Sequence, residues 1–422
     1  MLPEASAHWG SCALGISDVW DERNGLLLAQ PFEKAHHAHE MVVMFQPSLG
    51  TFRFRALTES LMLKTLAEYG KTGASKVCQD LQQHTFGEYD NTDLLMPSGN
   101  MPFRLVSGAS GFIGTELVKQ LLEKGYNVKG TVRDTSNKEK VAHLTKLAEA
   151  LPGKLTLHAA DLTEEGSFDS IVKGVDYVFH TASPFIRNVT DPKKQLIEPA
   201  VGGTKNVLGT VAKNTDSIKR VVLTSSFASI VKPKAGPKGK VYTEEDWNTE
   251  ADENAQGADA YRYSKVAAER EAWDTSKKHK FELITICPTF VLGPVISNRA
   301  DATSIMEVKG LIEGTNDSVM PWVCDVRDIA RAHILAAEVP SAKGRYLVSQ
   351  DSTVPVKALT DCLSKHFPNF KFAEGKEAEA KHVIDNSKVQ KELGLSIHPW
   401  QESIIDMATT LIQRGIAKPV SK

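Results

Sequence analysis

Residues 103–114 read FRLVSGASGFIG, and this stretch decides the fold. FRLVSG has the composition of a buried strand, while Ile113 to Lys124 place apolar residues at helical spacing up to Gly125, a usual C-terminal stop. Between them stand Gly108, Gly111 and Gly114, spaced GxxGxxG. At a strand-to-helix turn, missing side chains permit a tight bend and let backbone N–H groups approach a pyrophosphate at the helix N-terminus. Glycine spacing alone is weak evidence, and the flanking strand and helix give it weight. Phe112 and Ile113, in the same turn, join the three glycines as candidate cofactor contacts.

Outward from this turn the rhythm continues. NVKGTV, KLTLHAAD, VDYVFHTAS, KRVVLTSS and FELITICP read as further strands, separated by helix-length segments such as Lys193 to Lys213 and Ala260 to Lys278. Apolar runs too continuous for a half-exposed sheet indicate a parallel sheet covered on both faces. The expected class is therefore α/β, a doubly wound Rossmann sheet, over 101–292. From about Gly293 the alternation loosens, and Thr303 to Ile312, Val356 to His366 and Trp400 to Arg414 read as helices of a smaller C-terminal substrate-binding lobe over 293–422, some of which returns to the main core. Residues 1–100 lack sustained period apart from an amphipathic stretch, Ala56 to Gln83, and are expected to be an extension, poorly ordered in part, with the folded enzyme starting near Met101. The cluster His36, His37 and His39 has no carboxylate or thiol at ligand spacing and reads as a solvated loop, so no metal is expected.

Bulk properties narrow the function. With 422 residues, 41% of them hydrophobic, the chain can bury one large core and a smaller unit. Lys and Arg total 50 against 52 Asp and Glu, a balance that argues against nucleic acid as partner. Five cysteines without a CxxC pair fit a reducing compartment. FELITICPTFVLGPVI is too short and too broken by Pro288, Gly293 and Pro294 to span a membrane, and the acidic N-terminus does not resemble a secretory signal or transit peptide. A cytoplasmic protein, monomeric or homodimeric, is expected.

About twenty residues after the last glycine, the position of a ribose ligand, the second strand ends in TVRD. The Arg133 guanidinium can pair with a 2′-phosphate and Lys140 can add charge, which favours NADP(H); Asp134 is the competing ribose ligand. Asp161 and Leu162, after the third strand, are candidates to meet the adenine, with helix N-capping by Asp161 as the alternative. Thr181, Ala182 and Ser183 follow the fourth strand at the carboxyl edge, where open α/β sheets bind ligands.

AYRYSK sets Tyr261 and Lys265 four residues apart on one helix face, whereas Tyr263 points elsewhere. A free phenol titrates near pH 10, and a neighbouring ammonium and an oxidised nicotinamide both favour its phenolate, which suits proton exchange with a substrate oxygen. Ser226 ends the strand KRVVLTSS at the same edge and can donate to that oxygen as charge develops; Ser225 is the neighbouring alternative, because only one of the two faces the site.

With these residues in view, the chain resembles the extended short-chain dehydrogenase/reductases, and within them the dihydroflavonol reductase, cinnamoyl-CoA reductase and fungal carbonyl (methylglyoxal) reductase group. The likeness runs through 101–415 in the blocks GASGFIG, TVRD, ADLTEEGSFD, VFHTASP, VVLTSSFASIV, AYRYSK, ICPTFVLGP and DVRDIARAH. It implies Ser226, Tyr261 and Lys265 as catalytic triad, Lys265 also on the nicotinamide ribose, Arg133 and Lys140 at the NADP phosphate, and Pro288 and Thr289 beside the nicotinamide. Val231 stands where flavonoid reductases carry an asparagine, and GADAYRYSK replaces the KNWYCYGK block of cinnamoyl-CoA reductases, so the fungal carbonyl reductase kind is the nearest in appearance. Within DVRDIARAH, Asp325 and Arg327 are expected to cap and brace a helix and His333 to pack. The expectation is NADPH-dependent reduction of a small aldehyde or ketone. A nucleotide-sugar epimerase or dehydratase shares the triad but would retain its cofactor, and a non-catalytic NADP sensor would not need Tyr261 and Lys265.

Overall fold

A computed structural model describes residues 41–46, 51–56, 93–95 and 103–422, except 184–188, 233–238 and 378–382. The chain divides into two units, Met1–Met101 and Pro102–Lys422. In the first, β1 (Met41–Gln46), β2 (Thr51–Ala56) and β3 (Asp93–Leu95) form an antiparallel sheet in that order. The histidine cluster and nearly all of the amphipathic stretch 56–83 lie outside the described residues.

The second unit opens with β4 (Phe103–Ser107), α1 (Phe112–Glu123), β5 (Asn127–Val132), α2 (Lys138–Ala150), β6 (Lys154–Ala159) and β7 (Val175–His180). It continues with α3 (Glu198–Ala212), β8 (Arg220–Thr224), β9 (Val241–Tyr242), α4 (Gly257–His279), β10 (Glu282–Pro288), β11 (Phe290–Leu292), α5 (Thr303–Glu313), β12 (Val323–Asp325), α6 (Val326–Glu338) and β13 (Gly344–Val348). Two later helices, α7 (Val356–His366) and α8 (Trp400–Gln413), match the spans expected from periodicity to within a residue. A seven-stranded sheet runs β13-β10-β8-β7-β4-β5-β6, parallel throughout. Every residue of β7 is buried, as a strand covered on both faces requires. From β4 the chain builds outward to β5 and β6, then returns to β7 and builds the other way. The crevice at that reversal, outside the carboxyl ends of β4 and β7, is where such sheets bind ligands.

Local chemistry explains the boundaries. Gly125 (φ 77) stops α1, and α4 ends at Lys280 in the left-handed region (φ 58). The helix expected over 193–213 enters through a π-helical turn, Lys193–Ile197, and becomes α-helical at Glu198, beside Pro199, whose missing N–H adds no rung to the ladder. Leu292, Ile305, Leu311, Leu359, Ile404 and Leu411 belong to one apolar cluster built largely from residues after Gly293, while segment 344–348 supplies the edge strand β13 of the main sheet.

The amino ends of the central strands are tied by charge. Arg104 on β4 meets Asp176 on β7 at 3.0 Å, both almost fully buried. Arg220 at the start of β8 pairs with Glu282 of β10 at 2.7 Å and donates to the carbonyls of Ala336 and Val339 at the end of α6. Glu338 in that same last turn accepts from Tyr126 at 2.8 Å.

Candidate functional site

The glycine turn folds back on itself at the carboxyl end of β4. Gly111 N–H donates to the Gly108 carbonyl at 2.9 Å, and Ala109 N–H to the Thr131 carbonyl at 3.0 Å. Gly108 has φ 68, and a Cβ there would stand 2.9 Å from Ala182 Cα. At Gly114 a Cβ would come within 2.3 Å of the Gly108 carbonyl oxygen. Glycine is thus required at these two positions to bring α1's N-terminus against the turn, and a dinucleotide pyrophosphate fits the resulting cradle of backbone N–H groups. Phe112 leans onto the core of the C-terminal lobe, while Ile113 is half-buried at the head of α1.

Ser107, the last residue of β4, braces the neighbouring loop. Its Oγ lies 2.8 Å from His180 Nδ1 and accepts from Ala182 N–H at 3.1 Å, and its carbonyl accepts from Thr181 Oγ1 at 2.6 Å. Burial, and secondarily the Lys265 charge, push His180 down to about 3, so the ring is neutral at physiological pH. The loops after β4 and β7 are thereby held side by side.

Around the expected adenosine end, Arg133 and Lys140 are both exposed at the end of β5 and the start of α2. Asp134, the rival ribose ligand, is turned into its own loop, its Oδ1 accepting from Ser136 Oγ at 2.6 Å and Ser136 N–H at 2.8 Å. Asp161 accepts likewise from Thr163 at 2.7 and 2.8 Å. No helix starts at Asp161: the residue heads a run of turns, so the N-capping alternative is corrected to a side-chain-capped turn. Leu162 packs on α3, where an added Cβ at Gly203 would come within 2.9 Å of it.

Tyr261 opens the second turn of α4 and is 38% exposed, open to an incoming molecule. Lys265 follows one turn on, its Nζ 5.7 Å from the Tyr261 ring centre and 3.0 Å from Ser183 Oγ, three residues after β7. Ser226 is half-buried and extended, its Oγ accepting from Ala228 N–H at 3.1 Å at the start of a short 3-10 turn. Ser225 faces the opposite way and donates to buried Glu269 at 2.6 Å. Pro288 is buried at the end of β10, and Thr289 is half-buried with its hydroxyl 3.2 Å from Ser349.

Sequence reasoning missed what holds these pieces. Glu269, one turn beyond Lys265 on α4, accepts from Ser225, Ser229, Thr285 and Arg345. Burial alone would push its carboxyl up, but the Arg345 guanidinium at 2.8 Å and the serine hydroxyls hold it below the usual carboxylate range. The turn carrying Ser226 is therefore bolted to the helix carrying Tyr261 and Lys265. The only signal available was an acidic residue on an otherwise buried helix stripe. Val231, by contrast, packs into an apolar cluster with Phe227 and Tyr242. Asp325 caps α6 through Arg327 N–H at 2.7 Å and grips the Arg327 side chain at 2.8 Å, and His333 is buried with Nε2 2.7 Å from Thr224 Oγ1, both as expected. Among the described residues no group of histidines, cysteines or carboxylates could hold a metal, and no helix is long and apolar enough to cross a membrane.

Known proteins match this arrangement. Cinnamoyl-CoA reductase CAD2 of Medicago truncatula is 40% identical over 319 residues, covering 74% of this chain and 96% of the relative. The structure of Gre2 from Candida albicans in complex with NADPH superposes with a TM-score of 0.66 at 33% identity, covering 74% of this chain and 99% of that one. Yeast methylglyoxal/isovaleraldehyde reductase Gre2 complexed with NADPH gives 0.67 at 31% identity with the same coverage. Residues 104–348, which hold the glycine cradle, the Tyr261–Lys265 helix and all of the parallel sheet but Phe103, match the NAD dependent epimerase/dehydratase family, and the chain belongs to that family.

Proposed function

We propose that the protein is an NADPH-dependent reductase of small aldehydes or ketones with an apolar body, acting in the cytoplasm as a monomer or homodimer. The observation supporting this reading is the contact of Lys265 with Ser183 at 3.0 Å, which sets the Tyr261 helix against the loop following β7, beside the glycine cradle. Bound NADPH would supply the hydride. Gly108, Gly111, Phe112, Ile113 and Gly114 would hold its pyrophosphate end, Arg133 and Lys140 its 2′-phosphate, Asp161 and Leu162 its adenine, and Thr181, Ala182, Ser183, Pro288 and Thr289 its nicotinamide half.

In this reading Ser226 donates a hydrogen bond to the carbonyl oxygen, where negative charge grows during reduction. Tyr261 gives that oxygen its proton, and its exposed position lets a substrate reach the phenol. Lys265, its Nζ 5.7 Å from the Tyr261 ring centre, would bind the nicotinamide ribose hydroxyls through its remaining donors and so seat the cofactor beside the phenol. Residues 101–292 would carry cofactor and catalysis and 293–422 would shape the substrate site, with 1–100 as an extension.

Purified full-length protein should oxidise NADPH with members of a panel of aldehydes and ketones. Tyr261→Phe should lower kcat by about a hundredfold or more, the usual worth of a positioned general acid. Turnover by Tyr261→Phe at the parent rate would remove the mechanism, and a cofactor retained without net NADPH consumption would favour the epimerase alternative.

A further inference from the structure

We propose that Arg299, contributed by the C-terminal lobe, is a phosphate-binding residue of the dinucleotide site; the inference rests on the cofactor reading above. Arg299 sits in the segment just before α5, 189 residues from its contact on the glycine turn. Its Nη1 donates to Ser110 Oγ at 3.3 Å, and Ser110 stands between Gly108 and Gly111 in the turn whose N–H groups form the cradle. The other edge of the guanidinium is fixed: Nε and Nη2 donate to the two oxygens of Asp301 at 3.0 and 2.6 Å. A planar fork clamped along one edge presents its remaining nitrogen in a set direction, and here that direction is the glycine turn.

Further cationic side chains stand nearby. Arg414 is tied to Asn298, beside Arg299 in sequence, at 3.0 Å. Burial, then the charges of Arg299 and Arg414, push His143 on α2 down to about 4, so both arginines are felt at the adenosine side of the crevice. Arg133, at the end of β5, acts on Asp301 as well as on Asp161. Arg299 thus reaches the glycine turn from the lobe, and Arg133 of the sheet acts on the same Asp301 that compensates Arg299 and holds it in place. A dinucleotide phosphate seated on the turn would take its third side from the lobe, and binding would draw the lobe onto the sheet.

The test is direct binding to the full-length chain, read by NADPH fluorescence and by calorimetry with NADPH, NADH and 2′,5′-ADP. Arg299→Gln should weaken NADPH about tenfold, the worth of one charge-assisted hydrogen bond to phosphate, and Arg299→Lys should recover part of the loss. Weakening of NADPH and 2′,5′-ADP with NADH unchanged assigns Arg299 to the 2′-phosphate, and equal weakening of NADPH and NADH assigns it to the pyrophosphate; both support the proposal. Parent-like dissociation constants for all three with Arg299→Gln would overturn it, including the case in which the ligand-free melting point falls, which would make Arg299 a brace alone. Failure of the parent protein to bind NADPH or NADH would instead overturn the cofactor reading itself, and this inference with it.

Discussion

Replacing Glu269 by Gln tests whether the site is held together by a buried charge pair. Glu269 is 1% exposed, with Arg345 Nε 2.8 Å from Oε1 and Nη2 3.2 Å from Oε2. Thr285 shares Oε1 at 2.9 Å, and Ser225 and Ser229 share Oε2 at 2.6 and 2.7 Å. A glutamine keeps the volume but sets an NH2 against a donor whichever way it turns, and it strands the Arg345 charge against the face of Trp247, 4.0 Å away. Breaking one partner of a buried pair costs about 3–5 kcal/mol. The Arg345→Met variant should cost a similar amount, since it strands Glu269 and gives up bonds to the Glu244 and Asp246 carbonyls. The double variant leaves no unpaired charge, so its cost should fall short of the sum of the singles by about 2–3 kcal/mol. Urea unfolding followed by tryptophan fluorescence, with midpoints compared at constant slope, measures all four corners. Additive losses, or a single-variant loss under about 1 kcal/mol, would refute the reasoning.

Other outcomes follow from the same geometry. Arg133→Ala should raise the Michaelis constant for NADPH much more than for NADH, and equal effects in steady-state kinetics would remove the 2′-phosphate assignment. Gly114→Ala drives a methyl into the Gly108 carbonyl oxygen at 2.3 Å, so it should cost at least about 1–3 kcal/mol in thermal unfolding and weaken NADPH binding; a neutral result would contradict the tight turn. Stability should fall on acidification. Burial lowers His180 to about 3 and His333 to about 4 in the folded chain, against 6.5 for a free ring, and His143 follows to about 4. The unfolded chain therefore takes up more protons below about pH 6.5, and the folded state loses stability from there down to about pH 3–4, by up to about 2 kcal/mol per ring at pH 5. Urea midpoints unchanged between pH 7 and 5 would contradict the buried neutral rings.

Legibility in the sequence followed contact range. GASGFIG and AYRYSK were readable because a turn and a helix face are set by residues within one or two turns of each other, whereas strand alternation said only that one of Ser225 and Ser226 faces the site. The doubly wound order came through because each strand is a separate apolar run. Glu269 and Arg345, 76 residues apart, pair only once α4 and β13 meet on the sheet, and Arg299 reaches Ser110 across 189. No local pattern encodes such partners. Asp161 was misjudged in its alternative because one carboxylate caps a helix or a turn with the same bond, and only the following ADLTEEG backbone separates the two. Residues 1–100 carry three short described strands for which periodicity gave no warning.

The ties at the amino ends of the strands make the molecule unequal from end to end. Arg104 and Asp176 tie β4 to β7, and Arg220 and Glu338 rivet that rim to α6, while at the opposite rim the loops after β4 and β7 are joined by a glycine turn and hydroxyl contacts. Fluctuations that admit or release a bulky guest can then unzip from the loop end, as a book opens from its fore-edge with the spine still sewn. In hydrogen exchange the amides of Leu105 and Val178 would surrender their protons only when the whole unit unfolds, and those of the loops after β4 and β7 far sooner.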